Sequence, residues 1–223
     1  MIISHSRKFI FVKTRKTAST SLERAMIPQL GPEDIWTPMS LPAVEGQNYY
    51  SIWPPDWLTA RWPRYRDWAG KDSALHYRYF YDHMPIARMA RMMPASAFAS
   101  YTKFCFDRNP WDFAVSLYFY MRRKGDVATW DFDRFLHEMP VVQNWQLYTK
   151  NDKVMVDKVY RFEDLHASLR DVSSFTGLSF SGLTHDKRSY RPDNDYRSHY
   201  SQSSRDYVAQ KWKKTIELLG YDF

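Results

Sequence analysis

Between Lys13 and Thr20 the chain changes its apolar period, and that change constrains the fold more than any bulk property. Lys8–Lys13 (KFIFVK) is a short run with the aromatic and β-branched bias of a buried strand. Thr14–Thr17 is polar and cannot continue it. From Thr20 onward, Leu22, Ala25, Met26 and Leu30 recur at helical spacing, and Thr20-Ser21-Leu22-Glu23 fits a capping box. The opening is therefore predicted to be strand, tight turn, helix, with Lys16–Ser21 on the turn and the first helical turn. The first N–H groups of a helix have no partner, and the positive end of its dipole lies there. Such a corner suits an anionic ester. Small residues let oxygens approach the backbone, Lys16 adds a cation, and Thr17, Ser19, Thr20 and Ser21 add hydroxyl donors. The same residues also fit an ordinary capped helix with a solvated lysine. No glycine precedes Gly31, and Gly-Lys-Ser/Thr is absent, so a phosphate cradle here is not the usual ATP one.

Further along, strands and helices alternate. Pro85 opens and Pro94 closes a short helix with Ile86, Met89, Ala90 and Met93 inward, and His83 stands just before it. Tyr101–Asp107 (YTKFCFD) is a second strand. Arg108-Asn109-Pro110 turns the chain into a helix over Trp111–Arg123, with Ala114, Val115, Leu117, Tyr118 and Met121 inward. Trp130–Met139 is helical and Gln143–Tyr148 continues in that style. Lys153–Met155 and Lys158–Phe162 form a strand or hairpin. Glu163–Thr176 is a helix stopped by Gly177, and a last helix runs from Ser204 to Leu219 before Gly220. This pattern argues for one α/β domain over residues 1–223, a three-layer fold with a central parallel sheet flanked by helices. Residues 31–72 break the pattern: they hold Trp36, Trp53, Trp57, Trp62 and Trp68 and six of the twelve prolines, so they are expected to form an irregular insertion over one end of the sheet.

Net charge is +7, which suits a polyanionic ligand such as a nucleotide, an acidic glycan or nucleic acid. The lone cysteine, Cys105, excludes a disulfide framework and a multi-cysteine metal site. There is no apolar run of membrane-spanning length and no secretory pattern, so a cytoplasmic protein is expected.

Arg108 stands where its strand ends, and Ser116 lies about two helical turns into the following helix. In open α/β sheets ligands collect beyond the carboxyl ends of the strands. A guanidinium fork and a hydroxyl there suit a phosphate. Taken with the opening turn, the two corners would grip opposite ends of one nucleotide.

Four stretches resemble the PAPS-dependent sulfotransferases, most closely the branch with the carbohydrate and heparan sulfate sulfotransferases and their soluble bacterial relatives. Phe11–Glu23 (FVKTRKTASTSLE) is similar to the 5′-phosphosulfate loop and Phe106–Tyr120 (FDRNPWDFAVSLYFY) to the 3′-phosphate motif. Val156–Leu165 (VDKVYRFEDL) and Ser203–Phe223 resemble the family's later strand with its acidic turn and its C-terminal helix. The resemblance implies a P-loop-like fold and PAPS as sulfonate donor with PAP as product; that chemistry requires no metal, since the helix terminus and Lys16 carry the charge role, and the sequence shows no clustered metal ligands. The resemblance implies that Lys16 binds the phosphosulfate and neutralises the leaving phosphate. The backbone of Thr17, Ala18, Ser19, Thr20 and Ser21, with the Ser19, Thr20 and Ser21 hydroxyls, would hold phosphate oxygens, and Arg108 and Ser116 the 3′-phosphate. It further implies a histidine base before the helix that precedes the Arg-motif strand. His83 occupies that place, and His76 is the alternative. Arg188 or Arg191 is a further candidate for the 3′-phosphate. Arg15 stands where many members carry proline, and residues 185–197 lack the family's glycine-containing covering loop.

The expected reaction is in-line sulfonate transfer to a hydroxyl acceptor such as a saccharide, with an imidazole near its ordinary pKa of about 6.5 taking the proton. Rival readings are a nucleotide kinase on a similar sheet, disfavoured by the missing Gly-Lys-Ser/Thr, and a basic nucleic-acid-binding module, disfavoured by scattered basic residues and bunched rings. A degenerate, non-catalytic homologue is disfavoured by the retained Lys16, His83, Arg108 and Ser116.

Overall fold

The computed structural model describes residues 1–40, 43–49, 80–140, 143–181 and 195–223. Most of the tryptophan-rich stretch, His76, Arg188 and Arg191 lie outside the described residues.

The first parallel strand is Phe9–Phe11. Its side chains alternate between two covered faces: Phe9 and Phe11 on one, Ile10 and Val12 on the other, all 0% exposed. A strand buried on both faces reads as a continuous apolar run, which is what KFIFVK shows. It pairs in parallel with Thr102–Asp107, which pairs in parallel with Lys158–Arg161. Ile2–Ser4 runs antiparallel beside Phe9–Phe11, and Ile35–Trp36 runs antiparallel beside Ile2–Ser4. The result is a five-stranded sheet, parallel through its centre with an antiparallel edge.

Helices cover both faces. Ser19–Met26 and Leu165–Thr176 pack Leu22, Met26, Leu169 and Val172 against Phe9, Phe11, Phe104 and Phe106. On the opposite face, Ile86–Met92 and Trp145–Tyr148 pack against Ile3, Ile10, Val12 and Cys105. This is the expected three-layer α/β arrangement. Each fully buried Phe in it contributes roughly 1.5–3 kcal/mol relative to exposure. A third cluster joins the helix Pro110–Lys124 to Phe132–Glu138 and Gln202–Lys211 through Val115, Phe135, Val208 and Trp212.

Several local expectations change. The opening helix starts at Ser19, with Ala18 as its N-cap in the left-handed region (φ 52°) and no side-chain cap. The capping box therefore does not form. Glu23 is instead buried, with Lys13 at 2.7 Å and the Met1 ammonium at 2.5 Å, because ionic partners outcompete a neutral backbone N–H for a buried carboxylate. Within residues 31–72, Ile35–Trp36 extends the sheet rather than lying loose over it. The last helix is two helices, Gln202–Lys211 and Lys213–Leu219, broken at Trp212, whose indole is anchored in the third cluster.

Candidate functional site

The loop that leaves Phe9–Phe11 passes between two neighbours at the carboxyl ends of the parallel strands. On one side is the corner Asp107–Asn109, and on the other the turn Asp82–His83. Thr14 fastens the loop from within: its hydroxyl donates to the Phe106 carbonyl. The Ser19 hydroxyl donates to the Thr14 carbonyl at 2.8 Å, and the Thr17 hydroxyl lies 2.9 Å from that of Thr14. Thr17 and Ser19 are buried, so their hydroxyls brace the loop, whereas Thr20 is half-buried and Ser21 exposed.

Asn144 brackets the same loop. Its side chain accepts from Arg15 N–H (2.8 Å) and donates to the Arg15 carbonyl (3.0 Å) and to Asp107 Oδ1 (2.8 Å). Tyr148 donates to Asp107 Oδ2 at 2.8 Å. Burial pushes the Asp107 carboxyl up to about 6, against the hydrogen bonds from Asn144, Tyr148 and Arg108 N–H that favour its ionised form.

Lys16 and Ala18 both take positive φ (60° and 52°). Non-glycine residues seldom do so, and such conformations persist where the surroundings hold them. Turns that contain left-handed residues are the kind of backbone from which anion nests are built. The loop continues into the first helical turn, where Ser19, Thr20 and Ser21 have no carbonyl four residues back within the helix. The Lys16 ammonium sits 4.3 Å over the Tyr120 ring, and Lys124 sits 4.8 Å over the same ring. Burial, then the charges of Arg108 and Lys124, lower the Lys16 pKa to about 8.

Arg108 joins this loop to the second corner. Its Nη1 donates to the Lys16 carbonyl (3.0 Å) and to Ser116 Oγ (3.2 Å). Nε and Nη2 meet Asp112 Oδ2 at 2.7 and 2.6 Å, and the guanidinium lies 4.9 Å over the Phe162 ring. Helix Pro110–Lys124 supplies Asp112, Ser116 and Tyr120 from one face at four-residue spacing. Asn109 caps that helix, its side chain accepting from Trp111 N–H at 3.0 Å. The corner is braced from behind: Glu163 accepts Asn109 N–H at 2.8 Å, and the Tyr221 hydroxyl lies 2.9 Å from Glu163 and 3.0 Å from the Asp107 carbonyl. A cleft of about 400 Å³ opens beside it, lined by Asn109, Asp112, Arg161, Glu163, Tyr196 and Phe223 among others.

His83 is also in the left-handed region (φ 55°). Its Nδ1 lies 3.0 Å from the Lys13 carbonyl, and its Nε2 3.6 Å from Asp82 Oδ2. The expected ordinary histidine pKa does not hold. Burial drives it down; Asp82 pulls it up, but Arg15 and Lys13 add to the lowering, and it falls to about 4. Asp82 is held down at about 2: burial opposes this, and the Met1 ammonium, His83 and Lys13 outweigh burial.

The structure thus brings Lys16, Arg108 and Ser116 together and sets His83 at the root of the same loop. Sequence reading missed Asp112, Tyr120, Asp82 and Asn144. Spacing could have found the first two, four residues from Arg108 and from Ser116 on one helix. Asn144 meets Arg15 across 129 positions of sequence and carries no local signal. Among the described residues no three His, Cys, Asp or Glu side chains are grouped to hold a metal ion, and no helix is long and apolar enough to cross a membrane.

No family model matches the chain. It is 31% identical over 100 residues to an uncharacterized protein of Archaeoglobus fulgidus, covering 43% of this chain and 83% of that protein. The chain belongs to one family with this archaeal protein. Its solved structural neighbours include mouse sulfotransferase SULT7A1 complexed with PAP, at TM-score 0.46 and 14% identity over 96% of this chain and 86% of that one. They also include the sulfotransferase from Alicyclobacillus acidocaldarius, at TM-score 0.44 and 18% identity over 97% of this chain and 96% of that one.

Proposed function

We propose that this protein is a PAPS-dependent O-sulfotransferase that moves a sulfonate group to a hydroxyl acceptor, with a carbohydrate as the acceptor class to test first. The observation that carries the reading is the direct tie between the two anion-binding corners: Arg108 donates to both the Lys16 carbonyl and Ser116. A molecule with one anionic group on the loop and another on the Arg108 corner needs phosphates close together on one small scaffold, as a 3′,5′-bisphosphorylated adenosine has.

In this reading the loop N–H groups and Lys16 hold the 5′-phosphosulfate. The bond between sulfur and the bridging phosphate oxygen breaks as a bond forms between sulfur and the acceptor oxygen. The acceptor proton passes to His83, and PAP leaves. Lys16 meets the charge that develops on the bridging oxygen, which is the term preorganised cations stabilise best. Arg108 and Ser116 hold the 3′-phosphate. Asp112 now occupies one edge of the guanidinium, so a bound phosphate takes the Ser116 side or displaces that carboxylate. The chemistry of this donor set, a cationic fork, an ammonium and backbone N–H groups, suits a nucleotide with two separate anionic groups.

Thermal shift with PAP, ADP and ATP tests the donor. A ligand that binds only the folded state raises its stability with the logarithm of one plus its concentration over Kd, so at equal concentration PAP is expected to stabilise more than ADP or ATP. Equal shifts, or a magnesium-dependent preference for ATP, would overturn the assignment. Transfer of labelled sulfonate from PAPS to a panel of saccharides, phenols and alcohols then tests the acceptor.

A further inference from the structure

His83 and Lys13 touch twice, once directly and once through Asp82, and the three residues close a ring. The backbone carbonyl of Lys13 faces imidazole Nδ1 at 3.0 Å. The ammonium of the same lysine meets Asp82 Oδ1 at 2.9 Å and Oδ2 at 3.1 Å. Asp82 Oδ2 in turn lies 3.6 Å from imidazole Nε2. Lys13 is 3% exposed, and its ammonium also meets Glu23 of the opening helix at 2.7 Å. A buried lysine held by two carboxylates has little freedom, so the ring has a fixed anchor.

A carbonyl oxygen only accepts. The contact at Nδ1 therefore requires the proton of the neutral imidazole to be there, which leaves the lone pair on Nε2. We infer that Lys13 and Asp82 are positioning residues for His83: the Lys13 carbonyl selects the Nδ1–H tautomer, and the Asp82 carboxylate, held by the Lys13 ammonium, steadies the imidazolium that forms when Nε2 takes a proton. The inference rests on the reading of His83 as the base of sulfonate transfer, which it extends to residues on two further elements. Glu23 carries the coupling onward. One lysine links the helix whose first turn forms the anion nest to the turn that bears the imidazole. Among the described residues the charged groups facing the imidazole are Asp82, Arg15 and Lys13, and Asp82 also faces the Met1 ammonium at 3.6 Å.

The test combines histidine ¹⁵N spectra with kinetics on the full chain. In the unaltered protein, His83 at pH 7 is expected to show the Nδ1–H tautomer and to titrate near 4. In Asp82→Asn the amide can donate to Nε2 and occupy its lone pair. Its titration is then expected to fall further, with kcat down about 10-fold or more and KM for PAPS within about twofold. An Nε2–H tautomer in the unaltered protein overturns the inference, and it requires no variant to fold. Unchanged His83 titration and unchanged kcat in a folded Asp82→Asn protein overturn it equally. The spectra need no turnover. Failure to find any PAPS-dependent transfer would sink the sulfotransferase reading while the tautomer still decides the anchoring of the ring.

Discussion

The guanidinium of Arg108 donates to the main-chain carbonyl of Lys16 across 3.0 Å, joining residues 92 positions apart. The contact orients the loop from below. Lys16, whose carbonyl takes this hydrogen bond, also adopts positive φ. One cation at the end of Thr102–Asp107 therefore ties the backbone of the neighbouring loop as well as offering charge.

Arg108→Lys tests that dual role. A lysine keeps the charge but cannot span Lys16, Ser116 and Asp112 at once, because it lacks the planar fork. PAP affinity by calorimetry is expected to fall at least about 10-fold, the equivalent of roughly 1.4 kcal/mol. Ser116→Ala, which removes one neutral partner, should cost less. Equal affinity for the lysine variant and the unaltered protein would refute the clamp.

Lys16 holds its charge against burial, and the two nearby cations oppose it further. Its pKa is lowered from the unfolded value of about 10.4, so between about 8 and 10.4 the unfolded chain binds more protons and stability rises with pH. At pH 7 the charged ammonium therefore weakens the fold. Lys16→Met is expected to raise the melting temperature, by about 2–4 °C for each ~1 kcal/mol recovered, and to abolish stabilisation by PAP. A lower melting temperature with PAP stabilisation retained would contradict both halves.

Asp107 has the opposite sign. Its folded pKa of about 6 lies above the unfolded value, so its contribution to stability is complete below about 3.9 and is lost as pH rises through 6. In Asp107→Asn the side-chain oxygen can still accept from Asn144, and the Tyr148 hydroxyl can rotate to accept from the new amide. Urea denaturation at pH 5 and pH 7.5 should show a smaller difference for this variant than for the unaltered protein. An identical difference would mean that Asp107 does not titrate in this window.

For His83, the depressed pKa predicts where activity fails in acid. An imidazole that stays neutral to about 4 in the free protein leaves the acid limb of kcat/KM near pH 4 rather than near 6.5. His83→Ala should reduce kcat by roughly 10²–10⁴-fold and leave PAP affinity nearly unchanged. An acid limb at 6.5, or undiminished turnover in the alanine variant, would remove His83 from proton transfer.

What the sequence determined by itself was local order. KFIFVK, YTKFCFD and the runs around Val115 and Val172 declare strands and helices because apolar period is a property of neighbours along the chain. Lys16 and Arg108 were legible because each stands where an element begins or ends, and Ser116 because it follows Arg108 by about two helical turns. The tertiary structure decided what these residues touch. Glu23 left its capping box for Lys13 because burial made an ionic partner worth more than a neutral one. His83 lost its ordinary pKa because burial and the charges of Arg15 and Lys13 outweigh Asp82. Asn144 became the bracket of the Arg15 loop through a meeting of distant segments. Desolvation and long-range hydrogen bonding depend on which surfaces close against each other, and no pattern along a single chain records that.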